Sequence, residues 1–309
     1  MDELLIGLAA LLSFLFGWNN SSLLIGNLRG SGSTSFTVTV LISVAGLVVG
    51  TLLEGSKMVG SLVGSIAPAT TSSVMLATLI VSIVLSAGLT LVELPVSFSM
   101  IMVGAFMGAT LSAALSLNIG HSELVIAFWF IAPAATAVIT AFVYSSFTRL
   151  VQGLGLIAVD SLNRTGAVIS GLAVSYTLGA NNLGLFYGAS LAGLPVNMGI
   201  MLGLVAVAAV GVVTFGRNSL GGVIGDKMLA LSPQGVFSAF VSSALVVWAG
   251  TQFALPVSIS QCLLGGMLGA AYSRAISAVN GRLVAETLAL WVVAPLVAAG
   301  LAFILTGFL

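Results

Sequence analysis

Gly17-Trp18-Asn19-Asn20 returns 162 residues later as Gly179-Ala180-Asn181-Asn182. Two further blocks repeat at nearly the same interval. Leu94-Pro95-Val96-Ser97 reappears as Leu255-Pro256-Val257-Ser258 after 161 residues, and the WFIAP stretch Trp129 to Pro133 as WVVAP, Trp291 to Pro295, after 162. Two halves of the chain therefore align almost without gaps. Each repeated block sets Gly, Pro, Asn or Ser beside strongly apolar sequence. Matched polar interruptions in two apolar halves mark the place where such repeats bind a ligand between them.

The sequence between the blocks identifies the solvent. Hydrophobic residues make up 59% of the 309 and charged residues 5%, with a mean hydropathy of +1.23. A soluble domain carries about a quarter charged residues, so most of this surface cannot face water. Runs of about 20 apolar residues are long enough to cross a bilayer. Eight basic and eight acidic side chains cancel, and nothing points to a nucleic-acid partner. The single cysteine, Cys262, excludes an internal disulfide. Met1-Asp2-Glu3 lacks the basic start of a signal peptide, so the first apolar run is expected to be a permanent span.

Ten apolar segments follow, at about 4–28, 35–53, 70–92, 95–118, 123–148, 164–190, 194–216, 234–254, 256–279 and 283–308. Only helices or closed barrels satisfy the backbone in lipid, and continuous runs of this length indicate helices. Five segments per half is an odd number, so the second half enters the membrane from the opposite side. The expected fold is thus an all-α integral membrane protein. It has two inverted-topology repeats, residues 1–150 and 151–309, with broken or re-entrant helices at the polar blocks. The polar stretch Val151 to Asn163 joins them. Odd-numbered loops carry Arg29, Arg149, Arg164, Arg217, Lys227, Arg274 and Arg282, and even-numbered loops only Lys57. Seven against one places odd loops in the cytoplasm and both termini outside the cell membrane. Most of the 37 glycines, such as Gly104 and Gly108, fit close helix packing in lipid.

The blocks carry the chemistry. Asn offers a carbonyl and an amide, and glycine lets a backbone open. A helix broken at membrane depth would expose N–H groups that suit an anion. Freed carbonyls would suit a small cation. In Leu94–Ser99 and Leu255–Gln261, a proline at a first helical turn would be followed by serines at a helix N-terminus. The alternative for each block is plain: Asn and Ser gluing helices together, and serines capping an ordinary span. Duplication in register favours binding.

Taken together, these residues resemble the inorganic phosphate transporter (PiT) family, whose signature reads approximately GANDVANA…GTSVGS with an LPVSTTH-like block in each half. The first signature falls on Gly17, Asn19, Gly26, Gly30 and Ser31, the second on Gly179 to Asn182, and the LPVSTTH-like blocks on Leu94–Met100 and Leu255–Gln261. Gly55-Ser56-Lys57 resembles the family's Gly-Gly-Lys element. The resemblance covers almost the whole chain. It implies secondary transport of phosphate coupled to sodium or protons, a sulfate-transporting branch, inverted repeats and a homodimer.

Departures from the family pattern fall on the acids. The GAND aspartate is Asn20 and Asn182, the later asparagine is Leu23 and Leu185, and the histidine is Met100 and Gln261. Sulfate carries no proton at neutral pH and needs donors only, whereas phosphate gains from an acceptor. A site of Asn, Ser and backbone N–H groups therefore leans toward sulfate.

Elsewhere charges are sparse. Glu54 and Lys57 are spaced as an interfacial helical pair. Glu123 and Glu286 are expected in first helical turns, and His121 in a loop. With one histidine and three aspartates, unclustered, membrane-embedded enzyme chemistry has no ligands or nucleophile. The expected activity is a permease for sulfate or phosphate working by alternating access, the alternative being a passive anion channel of the same fold. The anion would be held by Asn19, Asn20, Ser21, Ser97 and Ser99 from one half and Asn181, Asn182, Ser258 and Ser260 from the other. Ser22, Asn27, Arg29 and Gln261 stand nearby. No cofactor is expected. Sodium or a proton would serve as coupling ion, with Asn20 and Asn182 as the sodium-binding candidates. Membrane lipid surrounds the rest.

Overall fold

The computed structural model describes residues 1–92, 97–191, 195–216, 231–273 and 280–309, with the side chains of Ser21 and Ser22 left out. Helices α1 (Asp2–Gly30), α2 (Phe36–Glu54), α3 (Ser56–Val59), α4 (Ser72–Leu91), α5 (Phe98–Ser112) and α6 (Ile119–Leu150) come from the first half. The second supplies α7 (Leu156–Leu178), a π-helical turn (Gly179–Leu183), α8 (Gly184–Ser190), α9 (Met198–Gly216), α10 (Pro233–Gln252), α11 (Ile259–Ser273) and α12 (Gly281–Thr306). Among the described residues there is no strand beyond an isolated bridge, Val63 to Ala67. Seven helices, α1, α2, α4, α6, α9, α10 and α12, are long and apolar enough to span a membrane. The protein is an all-helical, multi-pass membrane protein. Every expected apolar segment contains helix. The connector expected at Val151 to Asn163 is shorter than its polarity implied, because α7 already begins at Leu156.

Short polar side chains set where these helices start. Ser35 accepts from the Val38 N–H, Thr71 from Val74, Ser97 from Met100 and Asn118 from His121. Each satisfies a donor that has no partner inside the helix. The same device recurs 161 or 162 residues later: Asn197 caps α9, Ser232 caps α10, Ser258 accepts from Gln261, and Asn280 caps α12. Several hydroxyls inside the helices turn back onto their own helix, as when Thr78 donates to the Val74 carbonyl and Thr110 to that of Phe106. No water is needed to satisfy them.

At 15 residues each, α5 and α11 reach only about 22 Å at 1.5 Å per residue, short of a bilayer core of about 30 Å. Each follows a spanning helix through a short connection and packs on it, giving two helical hairpins, α4–α5 and α10–α11. The tip of the second, Phe253–Ser258, is irregular, with Ala254 at φ 53°. A non-glycine residue there marks a sharp turn held by its surroundings.

The halves interlock. α5 packs on α12, α11 on α6, α1 on α9 and α2 on α7. At these crossings glycine brings backbones into contact. A methyl group added at Gly104 would meet the carbonyl of Pro295, and one at Gly265 that of Pro133. These two contacts are the same contact 161 and 162 residues apart. In lipid there is no hydrophobic drive between helices, so such close approach supplies the association. Gly104→Ala or Gly265→Ala should therefore cost about 1–3 kcal/mol by overpacking and lower the unfolding temperature in detergent. Gly7→Ala, where a methyl group meets nothing within 4 Å, should leave it unchanged or slightly raised.

Candidate substrate site

The two asparagine blocks differ in backbone form. α1 passes through Gly17–Ser22 as continuous α-helix, so the break expected there is absent. Gly17 serves packing instead, because a side chain at that position would strike the backbone of Ala208 on α9. Trp18 stacks on Phe215 with centroids 3.9 Å apart. In the second half the helix does change character. Gly179–Leu183 forms a single π-helical turn between α7 and α8, a bulge of the kind found at functional sites.

That turn aims Asn181 at the hairpin tip. Its amide nitrogen donates to Thr251 Oγ1 at 2.9 Å and to the Leu255 carbonyl at 3.0 Å. Its carbonyl accepts from the Val257 N–H at 3.2 Å. One fully buried side chain thus satisfies both a donor and an acceptor of irregular backbone. Trp129 adds a third tie from the other half, its indole donating to the Pro256 carbonyl at 3.2 Å. In the first half Asn19 donates to Thr90 Oγ1 at 3.2 Å, the counterpart of the Asn181–Thr251 bond at offsets of 162 and 161. Leu94, Pro95 and Val96 lie outside the described residues.

The serines cap more than they present free donors. Ser97 and Ser258 are N-caps, and Ser258 Oγ lies 3.0 Å from Ser260 Oγ. Neither helix starts at its proline: α11 begins at Ile259, three residues past Pro256. Among the described residues of the site, Ser99 Oγ, Asn182 Oδ1 and the Trp291 indole nitrogen are buried and unpaired. Asn20 turns its amide onto the Phe16 carbonyl at 3.0 Å. Asn27 does the same to Leu23 at 2.7 Å, and Arg29 lies over the Phe36 ring at 5.6 Å. These last two face the end of α1. Gln261 is buried in the first turn of α11. The side chains of Ser21 and Ser22 lie outside the described residues.

Three rings join α1 and α5 of the first half to α8 of the second. Phe16 on α1 packs edge-on against Phe98 of α5 at 5.5 Å and against Phe186 of α8 at 5.4 Å, and Phe98 lies 6.4 Å from Phe186. Phe98 sits between Ser97 and Ser99, Phe16 is one turn before Asn20, and Phe186 is one turn after Asn182. The expected pair Glu54 and Lys57 forms at 2.6 Å, and both bond Gln252 at the end of α10. Glu123 and Glu286 lie beyond the first turns of α6 and α12, Glu286 pairing with Arg282, and His121 is helical. Arg217, Lys227 and Arg274 lie outside the described residues. No group of three metal-ligating side chains occurs among the described residues.

Sequence reading passed over Thr90, Thr251 and the tryptophan of W-x-x-x-P as site residues. The signal was available, since all repeat in register beside the named blocks.

The second helical hairpin, its tip clamped by the buried Asn181, interlocks with helices of the other half in a multi-pass membrane fold, and comparisons with known proteins identify the class. The phosphate transporter family model matches residues 16–302, and the chain belongs to that family, whose members are transporters and not enzymes. A Methanocaldococcus jannaschii protein named as a phosphate permease is 24% identical over 299 residues, 95% of this chain and 93% of its own length. The chloroplastic inorganic phosphate transporter 2-1 of Arabidopsis thaliana is 35% identical over 83 residues, covering 27% of this chain and 14% of the plant protein. A solved sodium-dependent phosphate transporter has the same fold, with a TM-score of 0.87 at 14% identity over 99% of this chain and 98% of that one.

Asn181→Ala would strand the Leu255 carbonyl and the Val257 N–H in a buried setting. At about 1–3 kcal/mol for each stranded group, the variant should show a clearly lowered unfolding temperature in detergent. Asn181→Asp, which keeps the acceptor and loses the donor, should not recover it.

Proposed function

We propose that the protein is a secondary permease that moves a tetrahedral oxyanion, phosphate first, across the cell membrane by alternating access. The observation that carries this reading is the asparagine-clamped hairpin of the second half, with its first-half counterpart at Asn19 and Thr90. It fixes a helix N-terminus and its backbone N–H groups deep in apolar surroundings, where an anion is favoured. The names of the relatives supply phosphate as the substrate.

On this reading the chain comprises inverted repeats 1–150 and 151–309, and the anion lies between them. Asn19, Asn20, Ser97 and Ser99 would face Asn181, Asn182, Ser258 and Ser260 across it. Ser99, whose hydroxyl is still unpaired, is the first choice for direct contact with the anion. Asn19, Asn181 and Ser97 act more as scaffold. Sodium is the favoured coupling ion, because Asn182 Oδ1 is a buried oxygen without a donor. The solved transporter that shares this fold is a sodium-dependent one. Odd loops face the cytoplasm, both termini face outward, and the protein works as a homodimer in lipid.

Sulfate is the second reading. Asn20 and Asn182 occupy the positions of the family's aspartates, and a site without carboxylates does not repel a fully ionised anion. Reconstituted liposomes separate these outcomes. Radiolabelled phosphate uptake should saturate and rise with an inward sodium gradient, and Asn182→Ala or Ser99→Ala should lower it at least tenfold while folded protein is retained. Sulfate taking phosphate's place would shift the substrate. Large unitary currents would replace the permease with a channel, and saturable uptake of neither anion would end the oxyanion reading.

A further inference from the structure

We propose that Phe16, Phe98 and Phe186 form the gate on one side of the anion site, and that the opposite gate is aliphatic and weaker. The inference rests on the alternating-access reading and adds the residues that close each side.

Three observations carry it. The rings are all buried, at 1%, 3% and 0% exposed, and join α1 and α5 of the first half to α8 of the second. Each ring neighbours a site residue. Phe98 is flanked by Ser97 and Ser99, Asn20 hydrogen bonds the Phe16 carbonyl, and Phe186 follows Asn182 by one turn. The third observation is the mismatch between halves. Carried through the 161- and 162-residue offsets, Phe16 becomes Leu178, Phe98 becomes Ile259 and Phe186 becomes Leu24. All three counterparts are buried, and none is aromatic.

Edge-to-face rings attract through their quadrupoles in addition to excluding solvent, and aliphatic side chains lack that term. Two halves that rock around a fixed site open one gate as the other closes. A ring cluster tying three elements from both halves cannot persist while those elements separate, so the triad's side is shut in this conformation. The extra attraction keeps that side shut in the absence of substrate. The empty protein therefore rests with its site open, when it opens, through the aliphatic side.

A thiol reporter tests this without depending on transport. Ser99→Cys in a Cys262→Ala background, in right-side-out and inside-out membrane vesicles, is exposed to a membrane-impermeant maleimide. Labelling should proceed from one face only. Phe98→Leu or Phe186→Leu, which keep most of the apolar volume, should raise labelling from the other face at least tenfold. Ile259→Ala should not. Ile259→Phe should slow labelling from the accessible face. Equal labelling from both faces with the triad intact, or unchanged labelling in both Phe→Leu variants, would overturn the gate. If face-selective labelling and its loss are seen while the protein with Ser99 and Cys262 intact moves neither phosphate nor sulfate, the transport reading fails and the gate stands. If uptake proceeds and labelling ignores the triad, the gate fails alone.

Discussion

A backbone that leaves helical geometry inside a bilayer has no water to bond to, and each unsatisfied group there costs several kcal/mol. In this chain the tip at Phe253–Ser258 leaves helical geometry beside apolar spans. Asn181 resolves the problem by offering a donor to the Leu255 carbonyl and an acceptor to the Val257 N–H from one side chain. Among short side chains the primary amide carries donor and acceptor on two separate atoms, spaced to reach two residues at once. Aspartate could accept and not donate, and serine could not reach two groups on different residues in the same way. The π-helical turn at Gly179–Leu183 belongs to the same solution. It reorients the helix so that Asn181 points at the tip, and Gly179 in it allows α2 to approach.

The clamp would be of little use if the hairpins floated. Each short helix is carried on a long helix of the other half, α5 on α12 and α11 on α6, through glycine set against the carbonyl of a helix-internal proline. Trp129 ties the same system together, reaching from α6 to the Pro256 carbonyl. The W-x-x-x-P block therefore has two tasks one turn apart. Its tryptophan satisfies the tip, and its proline backbone receives the glycine of the short helix. Movement of a hairpin is thus tied to a helix from the opposite half.

Much of this was legible in the sequence because duplication filters accident. Lone asparagines in an apolar run are weak signals, whereas Asn19 and Asn181 at one offset are strong ones. All-helical membrane architecture followed from composition alone. Legibility failed where two physical roles share one residue type. Gly17 was expected to open a helix and instead lets α1 touch α9, since glycine serves backbone freedom and close packing equally well. The serines of the LPVS blocks were expected as ligands, and Ser97 and Ser258 also cap helices, because hydroxyls at a helix start suit either task. The shortness of α5 and α11 was hidden as well. Apolar sequence continues through the hairpin connections, and hydropathy does not register a turn satisfied by a distant amide.

What the two halves do not share is as informative as what they do. Asn19 and Asn181 keep the threonine bond in both. Glu54, Lys57 and Gln252 form a polar strap from α2 to the end of α10, yet Glu54 becomes Gly216 and Gln252 becomes Leu91 on transfer to the other half. The strap grips the second hairpin three residues before Leu255, where Asn181 takes hold. The aromatic cluster lies instead at the start of the first short helix. One hairpin is therefore restrained beside its tip by charged and amide groups, the other at the start of its short helix by rings. Residues common to both halves preserve a frame that any ligand between them needs. Residues that differ hold the two hairpins by different means, and on the alternating-access proposal these are the positions free to make the two sides of the site behave differently.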